Sequence, residues 1–264
     1  RPNVGKSSLL NRLLGQKLAI ATPKPQTTRT CILGVYVQTD PPLQIAFVDT
    51  PGLHKPTNAL GRSAVDEARG SVLEADVVLL MAHVGHSTAL HDVLGQEERK
   101  ILQVLAQDGR PVVLAINKVD RLKDKALLLP LIEQCATVHP FAAIVPISVR
   151  NGDNLEGLVR EIGALLPEGL RYDASLLTDK PERFFAAELV REAVIHETRQ
   201  EVPYAVAVVI DEFFEEAQLY RISATIVVAK DSHKGILIGK RGQQLKQIGI
   251  LAREPFACGV LTGK

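Results

Sequence analysis

The sequence predicts an α/β protein in two parts, a mostly parallel sheet with helices on both faces followed by a smaller α+β domain. Three observations carry this. Up to Leu166, short apolar strand-like runs alternate with stretches of helical spacing, the pattern of strand–helix–strand units. Near Pro167 the alternation gives way to the irregular, polar PEGLRYDASLLTDKPE, which reads as a linker. Beyond it the order becomes helix, strand, strand, helix, helix, which belongs to a separate small domain.

Each element has its own warrant. SSLLNRLLG places Leu9, Leu10, Leu13 and Leu14 on one helical face and stops at Gly15. ATPKPQTTRT is too polar and proline-rich for a core and is expected as a loop. CILGVYV and LQIAFVD are strand runs joined through DPP, a hairpin signal. Ala59 to Glu74 has helical spacing again, and EADVVLLMA is a short buried strand. DVLGQEERKILQVLAQDG is an amphipathic helix closed by Gly109, and RPVVLAINK a second buried strand. DKALLLPLIEQCA is a helix that Pro130 is expected to interrupt, FAAIVPIS a last strand, and NLEGLVREIGALL the closing helix. In the second part the expected elements are a helix from Arg183 to Arg199, the strands PYAVAVVID and LYRISATIVVA, and two helices flanking GKRG.

Composition narrows the function classes. At 264 residues and 46% hydrophobic, the chain has material for two packed cores. Its net charge of +1 means that any nucleic-acid site is a local patch. No apolar run reaches membrane-spanning length. Cys31, Cys135 and Cys258 are few and far apart, which argues against a disulfide frame or a zinc site. With no tryptophan and 4% aromatics, base-stacking platforms do not dominate.

The chemistry begins with VGKSS. Backbone N–H groups at a helix start face an anion, Lys6 can reach terminal phosphates, and the Ser7 hydroxyl can ligate Mg²⁺. The whole stretch Asn3, Val4, Gly5, Lys6, Ser7 and Ser8 is the expected nucleotide cradle. The first glycine of G-x-x-x-x-G-K-[ST] would precede Arg1, so this glycine and the strand delivering the loop are expected to lie outside the chain. DTPG follows a strand, so Asp49 can hold Mg²⁺ and Gly52 can bring an N–H to a γ-phosphate, although the same tetrapeptide makes an ordinary turn. NKVD selects the base. Asp120 can accept both the ring N–H and the amino group of guanine, which adenine does not offer, Asn117 can bond the other base edge, and the Lys118 stem can cover the ring. Ser148 and Val149, after the last strand, are expected to offer a backbone N–H to the guanine oxygen.

These pieces occur in order, each at the carboxyl end of a strand, where open α/β sheets bind ligands. On VGKSS, DTPG and NKVD the first part resembles the translation-factor-related (TRAFAC) GTPases of the Ras-like P-loop fold. That resemblance implies GTP and GDP as ligands with Mg²⁺, held by Ser7, Asp49 and a switch threonine, for which Thr28 is the candidate and Thr27 the alternative. Lys6, Thr28, Asp49 and Gly52 are then the catalytic set. The residue after DTPG is Leu53, where Ras carries a water-orienting glutamine, so slow intrinsic hydrolysis is expected. Arg29 could assist the phosphates in cis, but is read first as a surface residue.

GKRG between two helices matches the GXXG loop of a KH domain, which clamps a nucleic-acid backbone. From Lys230 to Glu254 there are six Lys or Arg against two acids. Lys234, Ile238, Gly239, Lys240, Arg241, Gly242 and Lys246 are the expected RNA contacts, with Ile236, Leu237 and Ile238 before the loop and Ile248, Ile250 and Leu251 after it lining one side of a base groove. With RPNVGKSSLLN, PQTTR, FVDTPGLHKP, NKVD, TDKPERF, EVPYAV and ILIGKRGQQLKQIG, the chain resembles the Era family of bacterial ribosome-assembly GTPases over essentially its whole length. The resemblance implies a GTPase domain over 1–166, a linker over 167–181 and a type II KH domain over 182–264. It further implies binding to 16S ribosomal RNA, action in assembly of the 30S subunit, and a monomer in the bacterial cytoplasm. It leaves room for peripheral association with the inner membrane, for which the sequence shows no amphipathic anchor. The tail after GKRG is too short for the family's last helix and strand, so either the KH domain is incomplete or segments are missing from the chain, and missing segments are the expectation because the start of the phosphate loop is missing too. The competing reading is an RNA-binding scaffold or chaperone with structural nucleotide and incidental hydrolysis.

Overall fold

The computed structural model describes residues 3–22, 24, 27–51, 75–85, 93–216 and 219–257. Helix α1 (Lys6–Leu14) starts at Gly5 and ends at Gly15, whose left-handed φ of 65° closes it as the sequence predicts. Strands β1 (Ile32–Gln38) and β2 (Leu43–Asp49) form an antiparallel hairpin pairing Ile32 with Asp49 and Gln38 with Leu43. Strands β3 (Val78–His83), β4 (Val112–Asn117) and β5 (Ala143–Pro146) form a parallel sheet in the order β3-β4-β5. The parallel order thus holds for these three strands, while the hairpin stands as its own pair. A cleft of about 500 Å³ between the two sheets is lined by Leu9, Leu13, Ile45, Phe47, Leu79 and Met81 among others.

All six residues of β4 are buried, and they serve both faces in alternation. Val113 and Ala115 pack with Leu158, Val159 and Ile162 of helix α4 (Leu155–Gly163). Leu114 and Ile116 pack with Leu131 and Cys135 of helix α3 (Leu128–Ala136). Helix α2 (Gln96–Asp108) sets Leu102 and Leu105 against Val112 and ends at Gly109 with φ 75°. Pro130 does not interrupt α3, contrary to expectation. The helix begins only at Leu128, after a separate 3-10 turn over Lys125–Leu127, so the proline falls in its first turn, where no intrahelical N–H is needed. The expected helix from Ala59 to Glu74 lies outside the described residues.

The linker is fixed to the hairpin. The Gln44 carboxamide accepts from the N–H groups of Arg171 and Tyr172 at 3.1 and 3.0 Å and donates to Tyr172 O at 2.9 Å. Val35 N–H donates to Leu177 O at 2.8 Å. Helix α5 (Glu182–Glu197) follows. It stops two residues short of the expected Arg199, because Thr198 turns extended and bonds its hydroxyl back to Val194 O at 2.6 Å. Strands β6 (Val206–Glu216) and β7 (Leu219–Val228) pair antiparallel, with a bulge at Asp211, and β6 runs five residues beyond the expected end. Helices α6 (Asp231–Ile238) and α7 (Gln243–Ala257) complete this part, closing a core of Val194, Val202, Val206, Leu237, Ile248 and Ala252. A further cluster joins the two parts: Phe185 of α5, 4% exposed, packs with Leu10, Leu18, Ala19 and Ile32. No helix among the described residues is long and apolar enough to cross a membrane.

Candidate functional site

Three oxygens converge where α1, the 27–29 segment and β2 meet. Asp49 is the last residue of β2 and is 6% exposed. Its Oδ2 accepts from Ser7 Oγ at 2.7 Å and from Thr28 Oγ1 at 3.4 Å, and the two hydroxyls lie 3.1 Å apart. Burial pushes the Asp49 carboxyl above its ordinary pKa, against the opposing pull of the Ser7 bond, Lys6 and Thr28. Neighbouring ligands of an octahedral ion held at 2.0–2.1 Å are about 2.9 Å apart, so the trio has the spacing and hard-oxygen chemistry that suit Mg²⁺. Only one carboxylate is present, and the described residues contain no cluster of three or more His, Cys, Asp or Glu that would favour another metal. Of the two candidate threonines, it is Thr28 that faces Ser7 and Asp49.

Gly5 opens α1 at φ 107°, a conformation L side chains rarely adopt. A Cβ built there would lie 2.4 Å from Asn117 Nδ2. No side chain caps the helix, so its first N–H groups face outward. The Lys6 ammonium acts on the Asp49 carboxylate by charge.

Asn117, 3% exposed, is the knot of the base end. Its Nδ2 donates to Val4 O at 2.8 Å, while its Oδ1 accepts from Lys118 N at 2.7 Å and Val149 N at 3.0 Å. One amide proton remains for a ligand. Lys118, left-handed at φ 65°, donates its ammonium to Asn3 O at 2.7 Å, and burial lowers its pKa. Asp120 accepts from Ser148 Oγ at 2.7 Å, which holds its carboxylate in place. The structure therefore brings Asn3, Val4, Gly5, Asn117, Lys118, Asp120, Ser148 and Val149 together. It differs from expectation on the last two. The Ser148 N–H goes to Asp153 O at 3.1 Å and the Val149 N–H to Asn117, so neither is left for a base. The next N–H of the turn, that of Arg150, has no partner among the described residues, and nothing in the sequence pattern distinguished it. Gly52 lies outside the described residues, as do Leu53 and the tail after Ala257.

Arg29 is not a surface residue. Its guanidinium donates to Val206 O at 2.6 Å, Tyr204 O at 3.0 Å and Pro203 O at 3.4 Å, all beyond the linker, and burial lowers its pKa.

The second constellation lies between α6 and α7. Gly239 has φ 67° and ψ −176°, and a Cβ there would sit 2.6 Å from Gln244 Cβ. Arg241 is left-handed at φ 54°, a strained position of the kind found at ligand sites. Lys234, Ile238, Lys240, Arg241 and Lys246 are exposed, and Gly239 and Gly242 half-buried. Leu237 and Ile248 belong to the core at 4% and 1% exposure and cannot line a groove, and Leu251 packs against that core; Ile236, Ile238 and Ile250 are exposed as expected, and so is Leu245.

The family model described as a 50S ribosome-binding GTPase matches residues 1–118, and that of the KH domain matches residues 201–258. The GTPase Era of Geobacter metallireducens is 46% identical over 256 residues, covering 96% of this chain and 83% of the relative. A point variant of Aquifex aeolicus Era bound to GDP and aluminium fluoride superposes with a TM-score of 0.89 at 40% identity, over 98% of this chain and 86% of that one. A second Era structure, in complex with MgGDPNP and nucleotides 1506–1542 of 16S ribosomal RNA, gives the same score, identity and coverage. On its site residues, its two-part architecture and its similarity over nearly the whole length, the chain belongs to the Era GTPases.

Proposed function

We propose that the chain is a Mg²⁺-dependent GTP-hydrolysing switch that binds the 3′ region of 16S ribosomal RNA through its GKRG loop and acts in small-subunit assembly, as a cytoplasmic monomer. Residues 1–166 form the GTPase domain, 167–181 the linker and 182–264 the KH domain. The observation that carries the reading is the fixing of Asp120 by Ser148 within a loop set that Asn117 ties to the Gly5 turn. This arrangement commits a carboxylate to a base bearing two adjacent N–H donors, which is guanine. The remaining Asn117 proton meets the opposite base edge, the Lys118 stem covers the ring, and the Arg150 N–H takes the guanine oxygen.

The α1 N-terminus, with Val4, Gly5, Lys6, Ser7 and Ser8, cradles the phosphates, and Lys6 neutralises charge on the terminal pair. Ser7, Thr28 and Asp49 hold Mg²⁺, which when bound offsets the charge developing on the β- and γ-phosphates. Gly52 brings a backbone N–H to the γ-phosphate. Leu53 carries no hydrogen-bonding group for the attacking water, so intrinsic turnover is slow and the water is oriented by backbone, switch residues or a partner. The γ-phosphate holds the 27–29 segment closed, and its loss alters how the KH domain presents its RNA surface.

The 16S assignment follows the RNA in the relative's complex. In the loop, Gly239 and Gly242 allow close approach to the RNA backbone, Lys234, Lys240, Arg241 and Lys246 meet phosphates, and Ile238 borders the bases. The test is cross-linking and filter binding to an RNA of nucleotides 1506–1542 of 16S ribosomal RNA. The Lys240→Asp/Arg241→Asp double variant is expected to lose RNA binding while keeping its GTP affinity within twofold. Retained RNA binding would contradict the assignment.

A further inference from the structure

The segment that carries Thr28 is held from both sides by residues beyond the linker, and the same helix end that holds it also receives a bond from beside the GKRG loop. The last carbonyls of a helix have no intrahelical partners. At the end of α5, the Lys24 ammonium donates to two main-chain oxygens, Ile195 O and Thr198 O. The oxygen of Glu197, between them, accepts from Gln244 Nε2 at 3.0 Å, and the Glu197 carboxylate accepts from the same nitrogen at 3.1 Å. Gln244 is the second residue after Gly242 and the side chain against which Gly239 packs. One turn back along α5, Arg191, 3% exposed, donates to Thr27 O at 2.6 Å while Glu188 fixes its guanidinium at 2.5–2.7 Å. On the other side of Thr28, Arg29 grips the carbonyls of Pro203, Tyr204 and Val206. Thr28 between them is left with its hydroxyl on Ser7 and Asp49.

We infer that Arg191 and Arg29 are positioning residues that hold Thr28 at the cation site, and that the chain Gln244–Glu197–Lys24 transmits occupancy of the GKRG loop to that segment. The inference rests on the proposed roles of Thr28 and of the loop, and adds the residues that join them. Arg191 and Arg29 hold the two carbonyl-to-guanidinium contacts flanking a single residue, so loss of either frees one end of a three-residue span. Coupling of this kind is reciprocal: RNA on the loop favours the Thr28 position at the cation site, and a γ-phosphate that holds Thr28 there raises RNA affinity by the same factor.

The experiment measures the dissociation constant of the 1506–1542 RNA by fluorescence anisotropy, with the full chain saturated by Mg·GDPNP or by Mg·GDP. For the wild type the two constants are expected to differ by about tenfold, within the usual range of coupling factors. Gln244→Glu keeps the shape but removes the donor, and Lys24→Ala removes the cation held by Ile195 O and Thr198 O. Each is expected to bring the ratio to within twofold of one, with GTP affinity unchanged for Gln244→Glu, and the double variant to lose no more than either single one. Arg191→Ala is expected to weaken Mg²⁺ binding to the GDPNP complex about tenfold and leave the GDP complex unaffected, a split that general destabilisation would not give. A wild-type ratio retained in both single variants overturns the relay and leaves the proposed function standing. A wild type whose RNA affinity ignores the nucleotide overturns both the relay and the proposed coupling.

Discussion

Asn117 shows how much a single side chain can organise. Its carboxamide ties the Gly5 turn, the Lys118 turn and the Val149 turn into one unit, leaving one proton over. The role proposed for Asp120 beside it is narrower, the choice of the base. An Asp120→Asn variant replaces one acceptor with a donor, which mismatches the guanine amino group but suits a base carrying a carbonyl there. GTP affinity is expected to fall about 10⁴-fold, with xanthosine triphosphate gaining what GTP loses, measured by competition against a fluorescent nucleotide. The positions of Ser7, Asp49 and Asp120 were legible in the sequence because Ser7 lies in the first turn of a helix, Asp49 ends a strand and Asp120 follows one. The N–H groups of Ser148 and Val149 were not. Their engagement depends on Asp153 doubling back across the turn and on Asn117 arriving from β4. Arg29 was misread for a similar reason: its partners lie more than 170 residues away in the chain, at carbonyls that have no side-chain signature.

Among the elements, helix ends were the most legible feature. Gly15 and Gly109 both adopt the left-handed conformation that closes a helix. The apolar run of β4 before Asn117 was equally readable, since a strand buried on both faces is apolar along its length. Boundaries that differ from expectation have local causes: Pro130 lies in a first turn, where it breaks nothing, and β6 extends through the acidic DEFFEE because its pairing with β7 continues past the Asp211 bulge. Helix α3 supplies a test of how tightly its face is packed. Cys135 is 0% exposed, and burial pushes its thiol up from 9.0 to about 11. In that window the unfolded chain has lost the proton that the folded chain keeps. Stability associated with this group is therefore full below about pH 9 and declines towards pH 11, by at most about 1.4 kcal/mol per unit. Urea unfolding at pH 8 and pH 10 is expected to show a smaller loss for Cys135→Ala than for the wild type; equal losses would show that the thiol is wetter than its position implies.

Across the whole molecule, the two parts are joined by contacts that composition and periodicity do not reveal. The linker is bonded to the hairpin through Gln44, and Phe185 from α5 enters a cluster with Leu10, Leu18 and Ile32. The stretch is polar and irregular, yet a carboxamide on a strand can satisfy linker backbone as another strand would. Phe185→Ala is expected to cost about 3–5 kcal/mol and to separate the thermal unfolding of the two parts into two calorimetric transitions, where the wild type gives one. A single unshifted transition in the variant would deny the cluster its joining role.

Selective recognition of guanine by the pocket around Asp120 and Lys6 underlies every other functional statement, and isothermal titration with GTP and with ATP in the presence of Mg²⁺ tests it most directly. GTP is expected to bind at least about 10³-fold more tightly, because adenine would leave the Asp120 carboxylate without its two donors. Comparable affinity for the two nucleotides, or no binding of either, would contradict the account.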